Sequence, residues 1–194
     1  MSAIAIIPAR GGSRRIPRKN IRSFHGKPII AYSIETALKS GLFADVVVST
    51  DDVEIAETAD ALWCEIFIRS HDNGDKGTQE VTADALLAIN ATHEYACCIY
   101  ATAPLMTVED LHLGFERLKK SQTPYVYTVG PDWTDAGQWY WGRTLDFVNG
   151  TPLDQAELFV LPPERVCDIN TEEDWQRAEQ LYATMKGIEC KSAS

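Results

Sequence analysis

Short apolar, β-branched runs, each followed by a longer stretch with helical periodicity, recur through most of this 194-residue chain. Ile4 to Ile7 reads as a buried strand, and Pro28 opens a helix with Ile30, Ile34, Ala37 and Leu38 on one face before Gly41 ends it. Val46-Val47-Val48 is a second strand, and Asp51-Asp52 can cap a helix holding Ile55, Ala59 and Leu62. A short strand at 65–68, a loop at 70–78 and a helix through Val81, Ala85, Leu86 and Ile89 lead to a strand at 96–100. A helix with Val108, Leu111, Phe115 and Leu118 on one side precedes strands at 125–129, at Trp139-Tyr140-Trp141 and at Phe159-Val160-Leu161. Asp168-Ile169-Asn170 is expected at a strand end, before a helix capped by Thr171 with Trp175, Ala178 and Tyr182 inward. The alternation predicts a single α/β domain over residues 1–185, built on a mainly parallel sheet, and a frayed tail at 186–194.

In such sheets ligands gather at the carboxyl ends of the strands. The first strand breaks at Pro8 into a Gly11-Gly12-Ser13 turn crowded with cations: Arg10, Arg14, Arg15, Arg18, Lys19, then Arg22 and Lys27. No acidic residue precedes Glu35, so residues 1–34 carry +7, while the whole chain carries -10. A glycine turn can present backbone N–H groups, and arginine and lysine supply forked and point-charge donors, which together suit a polyphosphate. The turn lacks the Gly-Lys-Ser/Thr ending of a P-loop and the Gly-x-Gly-x-x-Gly of a dinucleotide site. A solvated basic loop or a nucleic-acid patch is the alternative. The strand leading into the turn favours a small anion, and an overall pI near 4.8 argues against nucleic acid or an anionic membrane as partner.

No apolar run approaches the ~20 residues of a membrane span, and the first apolar run precedes its charges, unlike a signal peptide. The five cysteines lack Cys-x-x-Cys spacing, and Cys97 and Cys98 read as buried free thiols, which fits a cytoplasmic protein. His25, His71, His93 and His112 show no ligand spacing.

The segment Ile7-Pro8-Ala9-Arg10-Gly11-Gly12-Ser13, continued by Ile16-Pro17 and Lys19-Asn20, resembles the opening motif of the acylneuraminate cytidylyltransferases. The resemblance continues in order through Val48-Ser49-Thr50-Asp51-Asp52, Gly77-Thr78-Gln79-Glu80, Thr102-Ala103-Pro104-Leu105, Asp135 to Trp141 and Arg165 to Trp175. Asp135-Ala136-Gly137-Gln138-Trp139-Tyr140-Trp141 is more similar to the branch acting on pseudaminic acid than to the sialic acid branch. The resemblance implies a three-layer Rossmann-like nucleotidyltransferase fold. It also implies CMP transfer from CTP to the anomeric hydroxyl of an acidic nine-carbon sugar, with Mg²⁺ or Mn²⁺ assisting and pyrophosphate released. Neuraminate, legionaminate and 3-deoxy-manno-octulosonate are alternative acceptors, and a nucleotide-binding homologue without catalysis is the alternative of another class. A homodimer is compatible with the family.

By the same resemblance, Ala9, Arg10, Gly11, Ser13, Arg14 and Lys19 would hold the triphosphate, and Asn20 would seat the nucleotide. Arg10, Lys19 and Asp168 would carry catalysis, and Asp168 with Asn170 would bind the metal. Thr78, Gln79, Thr102, Gln138 and Tyr140 would contact the ligand, a polyhydroxylated substrate needing neutral donors and an aromatic face. Helix capping or core packing would equally explain these five, and Asp168 could instead cap the helix at Thr171. Arg18 and Arg22 read as surface cations. Three departures stand out: Arg14 where relatives tend to have lysine, Asn170 where they tend to have aspartate, and a much shorter stretch between Gly130 and Asp132.

Arg10→Ala and Lys19→Ala should each weaken triphosphate use by roughly 10- to 150-fold, the loss of a charge-assisted contact of ~1.5–3 kcal/mol. Steady-state kinetics beside thermal melts check this. Unchanged kinetics at wild-type stability would remove the phosphate site from the basic turn.

Overall fold

The computed structural model describes residues 2–70 and 76–188. Its elements in chain order are β1 (Ala3–Ala9), β2 (Ser23–Phe24), β3 (Lys27–Pro28), α1 (Ile29–Ser40), β4 (Asp45–Thr50), α2 (Val53–Asp60), β5 (Glu65–Ile68) and α3 (Thr78–Ala88). There follow β6 (Tyr95–Ile99), α4 (Val108–Lys120), β7 (Tyr125–Val129), β8 (Asp135–Arg143), α5 (Thr144–Val148), β9 (Glu157–Val160) and α6 (Glu172–Lys186). Single 3₁₀ turns lie at Lys19–Ile21, Leu153–Gln155 and Pro163–Arg165. His71, the 72–75 part of the expected loop, Cys190 and the tail beyond 188 lie outside the described residues.

β1 is central, pairing with β4 in register Ile4–Asp45 to Ala9–Thr50 and with β6 from Ala3–Tyr95 to Ile6–Cys98, and it is apolar on both faces because helices cover both. The sheet order is β5-β4-β1-β6-β8-β7-β9. The chain winds outward from β1 through β4 to β5, then crosses back to β6 on the other side. The crevice between the ends of β1 and β6 is therefore a topological switch point, where open α/β sheets bind ligands. Six strands share one direction; β8 runs antiparallel to both β6 and β7. The expected mainly parallel sheet is present, and the reversed strand gives no sign in the sequence because its middle is buried on both faces.

Helices cover both faces. Ile30, Ile34 and Ala37 of α1, Ile55 and Ala59 of α2, and Leu111, Phe115 and Leu118 of α4 pack on one side against Ile7, Val48, Cys97 and Trp141. Ala85 and Leu86 of α3 and Phe147 of α5 cover Ile4, Ile6, Cys98 and Tyr140 on the other. A third cluster joins the β2–β3 hairpin to α6 through Ile16, Phe24, Tyr32 and Trp175. Leu38, expected on the buried face of α1, is 43% exposed, since at 100° per residue it lies about 80° round from Ile30, at the rim of the stripe. Asp52 caps α2, its carboxylate accepting from the Ile55 N–H, and Gly41 ends α1 in the left-handed region. Cys64, Cys97, Cys98 and Cys167 are buried free thiols. Among the described residues no helix is long and apolar enough to cross a membrane.

Gly114 lets α4 pass close over the aromatic strand: a Cβ there would lie 2.2 Å from Cη2 of the fully buried Trp139. Gly114→Ala should therefore destabilise by ~1–3 kcal/mol despite alanine's better helix propensity. Each kcal/mol moves Tm by about 2–4 °C at this size. A thermal melt showing a raised Tm would refute the close packing.

Candidate active site

A cavity of about 410 Å³ opens at the switch point. Its floor is the end of β1 and β6, and its walls come from the basic turn, from Arg69 after β5, from the start of α3 and from the 168–170 segment. The basic turn is held down from below. Gly11 donates its N–H to Asp51 Oδ1 (2.9 Å), so this amide is turned inward rather than toward a ligand. Gly11 keeps an ordinary φ; it is required because a Cβ would meet Asp52 Oδ2 at 2.4 Å. Arg18 reaches Asp52 through both guanidinium nitrogens, at 2.5 and 3.2 Å, and also pairs with Glu54. Arg22 pairs with Glu172 and lies over the Trp175 ring, and Lys27 pairs with Glu35. These three cations are bound into the fold. Arg10, Arg14, Arg15 and Lys19 line the cavity.

Asn20 is buried and donates Nδ2 to the Arg10 carbonyl (2.9 Å), which fixes the turn's entry. Lys19 is half-buried and donates Nζ to the Ile169 carbonyl at 2.7 Å, tying the basic turn to the far wall. Burial chiefly lowers the Lys19 pKa, helped by Arg15 and Arg10, while the Asp168 charge opposes the shift. Burial first, then the neighbouring Asp135 charge, raises the Asp168 pKa, against the hydrogen bond from Asn170. Both partners of this facing pair are thus pushed toward neutrality, and a ligand that brings anionic groups to Lys19 and cationic charge to Asp168 would relieve both.

Asp168 and Asn170 lie outside any strand or helix, not at a strand end, because β9 stops at Val160. Their side chains still meet: Asn170 donates Nδ2 to Asp168 Oδ2 at 2.5 Å. Asp168 does not cap α6; Thr171 does, with Asp174 accepting from the N–H groups of Asn170 and Thr171. Gly137, at φ +67°, packs flat beneath Asp168, with room for no Cβ: one would fall 2.6 Å from the Asp168 Cα. Asp135 sets that bend, accepting from the Gly137 N–H (2.7 Å) with one oxygen and from the Tyr100 hydroxyl (2.9 Å) with the other.

The structure brings Ala9, Arg10, Ser13, Arg14, Lys19, Asn20, Thr78, Thr102, Asp168 and Asn170 to the cavity. Gly11, Gln79, Gln138 and Tyr140 are not on its lining. Gln79 spends its amide on Tyr125 and the Thr151 carbonyl, and Gln138 donates to the Arg165 carbonyl. Tyr140 is fully buried but its hydroxyl donates to Thr78 Oγ1 (3.0 Å), one step behind the wall. Sequence reasoning missed Arg69 and Tyr100, both on the lining. Arg69 is buried, donates weakly to Asp51 (3.3 Å), and its Nε has no partner among the described residues. Its place directly after β5 was the available signal.

A Mg²⁺ ion takes one or two carboxylates plus phosphate oxygens and keeps waters. Asp168, a half-buried carboxylate on the wall facing the cations, fits that need. Asn170 fits less well: it brings no negative charge, and its carbonyl oxygen accepts from the cationic Arg15 Nη2 at 2.7 Å. Among the described residues no three His, Cys, Asp or Glu side chains converge as a metal cluster.

A switch-point cavity ringed by cations at the end of the first strand defines an α/β protein with a site suited to a small polyanion. The cytidylyltransferase family model matches residues 4–143, and the chain belongs to that family. The chain is 34% identical over 224 aligned positions to a pseudaminic acid cytidylyltransferase of Campylobacter jejuni subsp. jejuni serotype O:23/36 (strain 81-176), covering 94% of this chain and 97% of the relative. That alignment is longer than this chain, so the relative carries residues with no counterpart here. N-acylneuraminate cytidylyltransferase A of Danio rerio is 34% identical over 134 residues, 68% of this chain and 29% of that protein. The solved CMP:2-keto-3-deoxy-manno-octonic acid synthetase complexed with CTP superposes with a TM-score of 0.78 at 16% identity, over 95% of this chain and 100% of the other.

A carboxylate whose folded pKa is raised favours the fold most when protonated, and that contribution falls away as pH rises through its folded value. Asp168→Asn keeps an acceptor for Asn170 and removes the charge facing Asp135, so at pH 7 it should raise Tm, by about 2–4 °C for each kcal/mol gained. Calorimetry of the two proteins without ligand checks this; a lowered Tm would show that the charge is well solvated.

Proposed function

We propose that the protein transfers CMP from CTP to the anomeric hydroxyl of a nonulosonic acid, with pseudaminic acid the preferred acceptor. The observation that carries the reading is 34% identity across nearly the full length of a pseudaminic acid cytidylyltransferase. The Asp135 to Trp141 segment, which lies against both Asp168 and Thr78, supports the choice of sugar.

In this reading the anomeric hydroxyl gives up its proton to solvent as its oxygen bonds to the α-phosphorus, the bond from that phosphorus to the bridging oxygen breaks, and pyrophosphate carries away the electron pair. Arg10, Ser13, Arg14 and Lys19 bind the triphosphate, and their charges stabilise the leaving pyrophosphate, the main contribution expected in such transfers. Asn20 holds the Arg10 backbone in place and so positions that guanidinium. Tyr140 orients the Thr78 hydroxyl, while Thr102 offers a hydroxyl from the β6 end. Gln79 and Gln138 brace the walls rather than touching the sugar. Asp168 would hold Mg²⁺ or Mn²⁺, which when bound supplies positive charge to the phosphates.

The test is pyrophosphate release from CTP with pseudaminate, legionaminate, neuraminate and 3-deoxy-manno-octulosonate offered separately. Pseudaminate should give the largest kcat/KM. A different best acceptor would reassign the sugar, and CTP binding without release would leave a nucleotide-binding module. Thermal-shift titrations should show CTP stabilising the fold more than UTP or ATP, as RT ln(1 + [L]/Kd) requires for a tighter ligand. Equal shifts would reject cytidine selection.

A further inference from the structure

We propose that Asn170 is a positioning residue for Arg15, holding that guanidinium at the cavity for the anion, rather than a ligand for a cation. The proposal rests on the reading of the cavity as a polyphosphate site. Arg15 and Asn170 both line it, and they come from opposite ends of the chain. Asn170 Oδ1 accepts from Arg15 Nη2 at 2.7 Å, and Asn170 Nδ2 donates to Asp168 Oδ2 at 2.5 Å. Both ends of one amide are thus used, and the oxygen that a cation would need already faces a positively charged guanidinium. The backbone at 170 is pinned as well, its N–H donating to Asp174 Oδ2 at 2.9 Å.

The polarity of this chain of contacts suits an amide. Arg15 can only donate and the ionised Asp168 can only accept, so the group between them must accept on one side and donate on the other. A carboxylate at 170 would satisfy Arg15 but would set a second negative oxygen against Asp168 at contact distance. Alanine would release Arg15, an otherwise exposed side chain, into the rotamers it has in water. Lys19, whose Nζ is bound to the Ile169 carbonyl, forms a parallel tie one residue away, so the anion meets two cations fixed to the same short segment. Holding donors in place before the ligand arrives is what makes charge-assisted contacts effective.

Pyrophosphate and CTP binding are measured by calorimetry in EDTA, where no cation ligand can matter. The proteins are wild type, Arg15→Ala, Asn170→Ala and the double variant, with thermal melts of each. Arg15→Ala should weaken pyrophosphate binding about tenfold or more. Asn170→Ala should weaken it about three- to tenfold, with no further loss in the Arg15→Ala background, a coupling that a cycle isolates. As control, Asn170→Ala should combine additively with Arg14→Ala. Wild-type binding by Asn170→Ala in EDTA, with a loss appearing only when Mn²⁺ is added, would overturn the proposal and make residue 170 a cation ligand. Additive losses with Arg15→Ala would also overturn it. Coupled pyrophosphate binding without CTP selectivity or turnover would keep the positioning role and reject the transferase reading instead.

Discussion

Residues 10–19 place five cations within ten positions, at the end of a strand whose two neighbours are fully paired. Left to themselves such side chains would spread into water. What holds the turn in place is the pair of aspartates that ends β4: Asp51 takes the Gly11 amide and Asp52 takes Arg18 while capping α2. The Arg18 pair is partly exposed, with side chains 40% and 17% accessible, so its worth lies in geometry more than in Coulomb energy. Because β1 and β4 are parallel neighbours, both ends emerge on one edge, and the acidic end can reach the basic one without any long excursion.

The remaining wall depends on β8. Its reversed direction brings its first residues, Asp135 to Gly137, to the same edge as the carboxyl ends of the other strands. Asp135 uses both oxygens inside the protein, on Tyr100 and on Gly137, and the bend so formed supports Asp168 from below. Half-burial of Lys19 and Asp168 opposes charge on both, and a polyanion together with a counter-cation would relieve both.

Much of this was legible in the chain. Helices α1, α3, α4 and α6 have 3.6-residue stripes with caps at Gly41, Thr107 and Thr171, and the short apolar runs are strands. The basic turn was visible as a charge asymmetry, and its position at a strand end followed from Ile4 to Ile7. What was hidden has physical reasons. A strand buried on both faces looks alike in either direction, so the reversal of β8 left no pattern. The two-residue strands β2 and β3 and the five-residue α5 are too short to show a period. Amides such as Gln79, Gln138 and Asn170 have no preference that reveals whether they face ligand or protein, and only their partners decide. Arg69 looks like any polar residue ending a strand until Asp51 and the cavity are seen around it.

The cavity's cations sit in a body of net charge -10. At physiological ionic strength fields fade over about 8 Å, so an approaching anion first meets a weakly repulsive object and is drawn in only near the mouth. Such a field discriminates by shape. A compact polyanion can place all its charge within reach of Arg10, Arg14, Arg15 and Lys19. An extended one must leave most of its length beyond their reach, in the field of a chain whose net charge is -10.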